Sequence, residues 1–166
     1  MNKLLIILLL SITVTIYSQE NKTSSSITAG TEYLEEFYVN FGYSIIRELE
    51  NNTELDFKVA ININTSHEKA NGDVDPKFHI PLKAGINFLF PMNEKFTFLA
   101  GTGISPTLLI GEDNPFLIGP NAKLGLRLKV HPSMSVLLEV CQSMLIGGEN
   151  WLYPSTEIVC GVNFFI

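Results

Sequence analysis

The side chains with the clearest catalytic potential lie around the polar segment 66–77. His67 stands between Ser66 and Glu68, and His79 follows on the strand that returns from this segment. A hydroxyl, an imidazole and a carboxylate can supply the nucleophile, the base and the orienting acid of an acyl-transfer enzyme. No nucleophile motif surrounds Ser66, so an exposed polar loop is the simpler interpretation of the segment.

Two carboxylates in the same segment are the candidate ligands for a cation. Asp73 and Asp75 lie close to Asn71 and offer oxygen atoms of the kind that calcium binds. Their spacing matches a calcium loop only loosely, so a solvated turn is the expected structure. The sequence predicts neither a metal site nor another cofactor.

A third group of candidate residues consists of charged side chains inside segments that are otherwise apolar. They are Lys58, Lys83, Lys123, Arg127, Lys129, Glu139 and Glu157. If their shared face points into a closed structure, the cations and carboxylates must pair or keep water, because unpaired buried charge is costly. The sequence therefore predicts a polar lumen network of Lys58, Lys83, Lys123, Arg127, Glu139 and Glu157, in preference to a substrate site. Lys129 lies beside a turn and is expected to reach water.

These charged residues are positioned by short segments in which apolar and polar residues alternate. A period of two indicates β-strands, because successive side chains of a strand point to opposite faces. Seven segments have this pattern: 38–49, 56–65, 80–90, 96–104, 123–130, 134–143 and 156–166. Pro106 is expected at a bulge or a loosened strand end, and 111–120 is expected to be a loop.

An eighth strand is expected because single-chain bacterial membrane barrels normally have an even number of strands. The candidate is the weakly patterned segment 26–34, which would pair with the last strand and close the barrel. A helical stripe also fits part of this region, through Leu34, Phe37, Tyr38, Phe41, Ile45 and Leu49. A helical or irregular lead-in over 31–37 is therefore the alternative.

The predicted faces also bear on the two cysteines. Cys141 falls on the polar face of its strand, whereas Cys160 falls on the apolar face of the neighbouring strand. A disulfide requires side chains on the same side, so these two cysteines are not expected to be bonded to each other.

Three observations favour a transmembrane barrel over a soluble β-sandwich or lipocalin-like barrel, whose strands also have one polar and one apolar face. Glycines lie on the polar faces, where a narrow lumen needs small residues: Gly42, Gly85, Gly101, Gly103, Gly125 and Gly161. Phenylalanines fall at one end, as in an interfacial aromatic girdle: Phe57, Phe88, Phe90, Phe96, Phe98 and Phe164. The short connections 91–95 and 131–133 fall at that same end, and the longer ones at the other.

The first 18 residues have the features of a secretory signal peptide, with one cation, Lys3, before the short apolar run 4–10. An uncleaved anchor is the alternative, although the run is shorter than the roughly 20 residues of a spanning helix. Cleavage after Ser18 would leave one β-barrel domain, 19–166. The chain has 11 basic and 17 acidic residues, so loss of Lys3 changes the formal net charge from −6 to −7. This acidity disfavours nucleic acid as a partner.

The last segment carries the clearest family signal. Ile158, Cys160, Val162, Phe164 and Ile166 alternate with Glu157, Val159, Gly161, Asn163 and Phe165. A final strand of this kind, behind a secretion signal, resembles the small outer-membrane β-barrel proteins of Gram-negative bacteria, which usually end in Phe where this chain has Ile166. The resemblance implies an all-β, antiparallel, up-and-down barrel of about eight strands in the cell outer membrane. It also implies membrane lipid and, through the last strand, the barrel-assembly machinery as partners.

The expected function is an envelope-structural or surface-interaction role, without enzymatic activity and with a lumen too full to conduct. One alternative is a soluble secreted lipocalin-like barrel that binds a small apolar ligand, which would need Leu124, Leu126 and Leu128 inside. The other is an outer-membrane lipid-modifying enzyme at the barrel rim, which would use the Ser66 and His67 region.

Overall fold

The computed structural model describes residues 23–64, 77–110, 116–147 and 151–165. Ten strands in these ranges form one antiparallel sheet that closes on itself. The strands are β1 (Thr23–Leu34), β2 (Glu36–Glu48), β3 (Thr53–Asn64), β4 (Lys77–Pro91), β5 (Phe96–Ile104), β6 (Thr107–Ile110), β7 (Phe116–Ile118), β8 (Pro120–His131), β9 (Met134–Gly147) and β10 (Tyr153–Phe165). No helix in the described ranges is long and apolar enough to span a bilayer.

The ten strands form the eight strand positions of a barrel wall, because two positions are each occupied by two short strands in succession. We call each position a stave. β5 and β6 both pair with β4 and are separated only by Ser105 and Pro106, and β7 and β8 both pair with β9 and are separated only by Gly119. Proline has no N–H to donate to a neighbouring strand, so the break at Pro106 agrees with the predicted loosened strand end. β1 pairs with β10 and closes the circle, which confirms the predicted eight-stranded antiparallel barrel.

The staves are staggered around the barrel. A path that follows paired residues from Thr23 through all eight staves returns to β1 at Tyr33, ten positions further along. The path runs through Arg47, Leu55, Ile86, Thr102, Ala122, Gln142 and Thr156. With a strand spacing of about 4.8 Å and a rise of about 3.3 Å per residue, this stagger tilts the strands by about 40° from the barrel axis.

The first hairpin corrects one sequence-based alternative. β1 continues to Leu34, and β2 begins at Glu36 after the single residue Glu35, whose φ is 60°. The alternative prediction of a helical or irregular lead-in over 31–37 is therefore wrong. Near this turn apolar residues occupy both faces, with Leu34 and Tyr38 buried and Phe37 exposed, and apolar residues on both faces of a strand can imitate a helical stripe.

The segment 111–120 was expected to be a loop, and the structure corrects that prediction in part. Residues 111–115 lie outside the described ranges, but Phe116–Ile118 forms β7 and Pro120 begins β8. Leu117 is buried while Phe116 and Ile118 are exposed. This triplet alternates as a strand does, and it pairs with β6 and β9.

The outer face of the barrel is an apolar belt. On β4 the outward positions run from Phe78 to Phe90, and at a tilt of about 40° they cover about 30 Å along the axis, enough to span the hydrocarbon core of a bilayer. Leu124 and Leu126 are exposed on this face, whereas a lipocalin-like cup requires them inside. The soluble lipocalin-like alternative is therefore wrong.

The two ends of the barrel differ in their connections. The turn end carries the short links 49–52, 92–95 and 132–133. At the opposite end, which we call the loop end, Glu35 joins β1 to β2, and β3, β6 and β9 end at Asn64, Ile110 and Gly147. Phe88, Phe90, Phe96, Phe98 and Phe164 lie near the turn end, with Phe90 beside Phe98 at 6.0 Å between ring centroids. Phe57 pairs with Ala84 further from that end.

Candidate functional site in the barrel lumen

The inward faces of the staves build a column of buried polar and charged side chains. They point inward because side chains two positions apart on a strand share a face, and each of them lies an even number of positions from other buried residues of its strand. We call this shared odd or even position the strand parity. We use the name lumen column for Glu32, Glu54, Asp56, Lys58, His79, Lys83, Lys123, Arg127, Glu139 and Glu157. Its members come from β1, β3, β4, β8, β9 and β10, so closure of the barrel is what brings them together.

Glu157 is a carboxylate of the lumen column that two lysines share. Lys58 donates to its Oε1 atom, and Lys83 Nζ donates to its Oε2 atom at 2.7 Å. Asn40 Nδ2 donates to the same Oε2 atom at 3.2 Å. One carboxylate therefore compensates two lysines, and all three charged side chains are at most 10 % exposed.

Closer to the turn end, Arg127 and Glu54 form a two-bond pair. The guanidinium nitrogens Nη1 and Nη2 donate to the two carboxylate oxygens at 3.1 and 3.0 Å. Asn87 Nδ2 also donates to Glu54, at 2.8 Å. Such forked pairs fix the orientation of both partners as well as their charge balance.

Lys123 stands between two carboxylates from different strands. It donates a hydrogen bond to Asp56, while Glu139 lies 3.9 Å from its Nζ atom. Asp56 is therefore the bonded partner, and Glu139 adds a longer-range charge contact. Lys129, by contrast, is exposed beside the turn end.

His79 occupies the loop-end side of the lumen column. Its Nε2 atom lies 3.1 Å from Glu32 and 2.6 Å from Asn62 Nδ2, and its ring meets the Tyr38 ring edge-on, 4.3 Å between centroids. The Ser155 hydroxyl donates to Glu32 and not to His79. A hydrolytic triad needs the hydroxyl on the base, so His79 and Ser155 do not form one.

The other residues of the enzyme and metal hypotheses, Ser66, His67, Asp73 and Asp75, lie outside the described residues. Cys141 is buried in the lumen and Cys160 is exposed on the outer face. The two thiols point to opposite sides of the wall, as their strand parity predicts.

Two inward glycines make room for charged side chains of the lumen column. A Cβ atom on Gly42 would lie 2.7 Å from Lys58 Cε and 2.6 Å from Thr28 Oγ1. On Gly125 it would lie 3.0 Å from Leu99 Cγ and 3.1 Å from Glu139 Cγ. Gly42 and Gly125 thus leave room for the side chains of Lys58 and Glu139 on the neighbouring strands.

Little space remains among these side chains. A cavity of about 20 Å³ lies between Lys83, Lys123, Asp56 and Glu157, which is enough for about one water molecule. At the loop end the lumen is filled instead by an apolar cluster of buried residues: Leu34, Tyr38, Leu117, Leu145 and Tyr153. The described lumen therefore contains buried charged side chains along much of its length, buried apolar side chains such as Ile46, Leu99 and Leu137 towards the turn end, and the apolar cluster at the loop end.

Three carboxylates of the lumen column, Glu32, Glu54 and Asp56, were not among the residues predicted from the sequence. Glu54 and Asp56 share the strand parity of Lys58 on β3, so counting back from Lys58 by twos would have found both. Glu32 shares the parity of Ser26 and Thr28 on β1, where the apolar pattern is too weak to reveal it. The lumen column as defined holds five carboxylates, four cations and His79.

Solved structures share this fold. Neisserial surface protein A is similar with a TM-score of 0.69 and 12 % identity, over 88 % of this chain and 97 % of that chain. Ail of Yersinia pestis, solved with the heparin analogue sucrose octasulfate, gives 0.57 and 15 %, over 89 % and 100 %. The N-terminal β-barrel domain of Pseudomonas aeruginosa OprF gives 0.56 and 17 %, over 89 % and 100 %.

No protein-family profile and no curated protein matches the chain by sequence. The TM-scores establish a common fold. At identities this low, the likeness does not extend to the functions of those proteins. The closed ring of eight staves, the apolar outer belt and the polar lumen agree with that fold in every part that the structure describes. The chain is an eight-stranded β-barrel of the outer-membrane type.

Proposed function

We propose that this protein is a non-enzymatic outer-membrane barrel with an envelope-structural or surface-interaction role, and that its lumen does not conduct ions. The observation that carries the proposal is the lumen column, in which Glu157 joins Lys58 and Lys83 across the barrel. Eight strands enclose a lumen only wide enough for side chains. With about 20 Å³ left beside these pairs, a hydrated ion has no continuous path.

The apolar cluster at the loop end supports the same proposal. An ion that entered there would have to shed water to pass Leu117, Leu145 and Tyr38, because apolar constrictions exclude hydrated ions. The buried fractions of these side chains are above 90 %. The lumen is thus closed by two different means along its axis.

The proposal includes processing and assembly. Residues 1–18 act as a cleaved signal peptide, and 19–166 form the barrel domain. The outward residues of β10, among them Ile158 and Phe164, present the alternating pattern that the barrel-assembly machinery reads. Lipid surrounds the apolar belt, since exposed apolar surface on this scale is unfavourable in water.

A surface role would be directed at a partner unlike the sulfated ligand in the Ail structure. The residues that join strands at the loop end in sequence are 35, 65–76, 111–115 and 148–152, and they contain seven acidic side chains and one basic. Such a balance repels polyanions. Neutral or cationic groups are the partners that this end favours.

Two measurements test the proposal. The expressed protein should remain in the membrane fraction until detergent is added, and purified protein in a planar bilayer should give no steady single-channel current. The positive control must open both closures, so it combines Lys58→Ala, Lys83→Ala and Glu157→Ala with Leu117→Ala and Leu145→Ala in the loop-end cluster, and it should produce measurable current. Recovery without detergent would overturn the membrane assignment, and steady current from the unmodified protein would overturn the closed lumen.

A further inference from the structure

The outer belt is not uniformly convex. A groove of about 340 Å³ runs across its β2 to β6 side. Two rows of paired outward residues form its floor. Tyr43, Val59 and Leu82 make the first row, and Ile45, Phe57, Ala84 and Ile104 make the second.

The groove has a cause in the sequence. Ala84 is the small outward residue between Phe57 and Ile104, its pairing partners on either side, so the wall is thin at this point. The other outward residues around it on β4, Leu82 and Ile86, are larger. A small side chain among large ones leaves a notch that the neighbouring side chains do not fill.

Two prolines shape the loop-end border of the groove. The β3–β4 pairing stops at Val59 with Leu82 and resumes at Asn62 with His79, and Pro81 stands in the gap. On the other side of β4 the stave breaks at Pro106, whose carbonyl still accepts from the Leu82 N–H at 2.7 Å. Proline cannot donate a hydrogen bond to a neighbouring strand. The pairing of β4 with β3 and its pairing with the β5–β6 stave are therefore interrupted at the same position along the barrel axis. The wall therefore departs from a regular barrel surface just where the groove lies.

We propose that this groove holds one acyl chain of a phospholipid more tightly than the lipid around the rest of the barrel. The groove is continuous with the apolar belt through exposed neighbours such as Phe41, Ile61 and Ile86, so acyl chains are the molecules that reach it. Among its lining side chains that face outward, only the Tyr43 hydroxyl is polar, which excludes a headgroup. A cavity of about 150 Å³ is known to hold benzene, so 340 Å³ accommodates a length of acyl chain.

The binding free energy would come from packing. In a bilayer, an acyl chain gains no hydrophobic advantage by leaving other chains, but it gains dispersion contacts in a concave surface. Each such contact contributes little by itself, so the preference depends on the number of contacts. The expected preference over other lipid is thus modest, and it should respond to the volume of the residue at position 84.

The test uses the refolded full barrel in vesicles of phosphatidylethanolamine and phosphatidylglycerol, released into mild detergent and weighed by native mass spectrometry. The unmodified barrel should carry one phospholipid. Ala84→Phe fills the notch and should lower the occupancy about ten-fold, through loss of the dispersion contacts, while Ala84→Leu should lower it less. Ala100→Phe is the matched control, because Ala100 is also a half-buried outward residue between two large neighbours, Phe88 and Leu124, but does not line the groove.

Folding of each variant is checked by heat-dependent gel mobility, and Ala84→Leu keeps the test decisive if Ala84→Phe does not fold. Retention of lipid by the control and its loss from the position-84 variants supports the proposal. Equal retention by all barrels, or a bare unmodified barrel, overturns it. A dimer that Ala84→Phe dissociates also overturns it, because a second copy would then be the occupant of the groove.

Discussion

Lys58 donates a hydrogen bond to Glu157 across the lumen, although 99 positions separate them in the sequence. Lys83 reaches the other oxygen of the same carboxylate. In an isolated strand these charges would be solvated by water, whereas closure of the barrel both buries them and supplies their partners. The lumen column is thus a consequence of closure and also a reason for the closed barrel to hold its register.

Glu157→Gln should destabilise the barrel strongly. The variant removes the charge that compensates Lys58 and Lys83, and breaking one partner of a buried pair typically costs about 3 to 5 kcal/mol. The free energy of unfolding, measured by urea titration in lipid vesicles, checks the change. Lys129→Gln is the control, because Lys129 is exposed beside the turn end. A similar unfolding free energy for both variants would show that Glu157 is not the compensating group.

Glu139→Ala should be milder than Glu157→Gln. Glu139 lies 3.9 Å from Lys123, which keeps its hydrogen bond to Asp56 when Glu139 is absent. The loss should therefore be about 1 to 2 kcal/mol, below the range for a fully broken buried pair. The same urea titration measures it, and a greater loss for Glu139→Ala than for Glu157→Gln would contradict the assignment of Asp56 as the main partner.

Leu126→Arg should cost about 2 to 4 kcal/mol, the range for a cation on the lipid face near the midplane of a barrel. Leu126 is exposed on the outer face at mid-strand. The comparison variant is Glu94→Arg, in the exposed turn 92–95. Equal unfolding free energies for the two Arg variants would mean that Leu126 does not face lipid.

Gly42→Val should destabilise the barrel by crowding the lumen. Its Cβ atom would lie 2.7 Å from Lys58 Cε, so Lys58 must move, and overpacking of this kind costs about 1 to 3 kcal/mol. Lys58→Ala removes one of the two closest contacts, and Thr28 Oγ1, at 2.6 Å from the same Cβ position, remains. A double-mutant cycle in urea should therefore show that Gly42→Val costs less in the Lys58→Ala background. An unchanged cost would point to Thr28 or the backbone as the obstacle.

Cys141 should not react with a small charged methanethiosulfonate reagent in the folded barrel. Its thiol is buried in the packed lumen, so the reagent has no aqueous path to it. The experiment uses the Cys160→Ser variant and mass spectrometry, with urea-unfolded protein as the positive control. Rapid modification of the folded barrel would reveal a water-filled lumen independently of any current measurement.

Most of the fold could be predicted because alternation is a local property. The parity of Lys58, Arg127 and Glu157 within their own strands was enough to assign each to the inner face. The prediction was less complete near the loop end, where Leu34 and Tyr38 are apolar and yet point inward. There the apolar and polar faces no longer correspond to outside and inside, so the pattern suggested a helix for part of 31–37 and a loop for Phe116–Ile118.

By itself, the sequence determined the lipid-facing and lumen-facing sides of the clearly alternating strands. Only the tertiary structure decided which side chains form hydrogen bonds across the lumen. These pairs are Arg127 with Glu54, Lys123 with Asp56, and His79 with Glu32. The physical reason is the stagger from Thr23 to Tyr33 around the closed barrel. That stagger sets the height of every inward side chain relative to the opposite wall, and it depends on all eight pairings together, whereas strand parity depends on neighbouring residues alone.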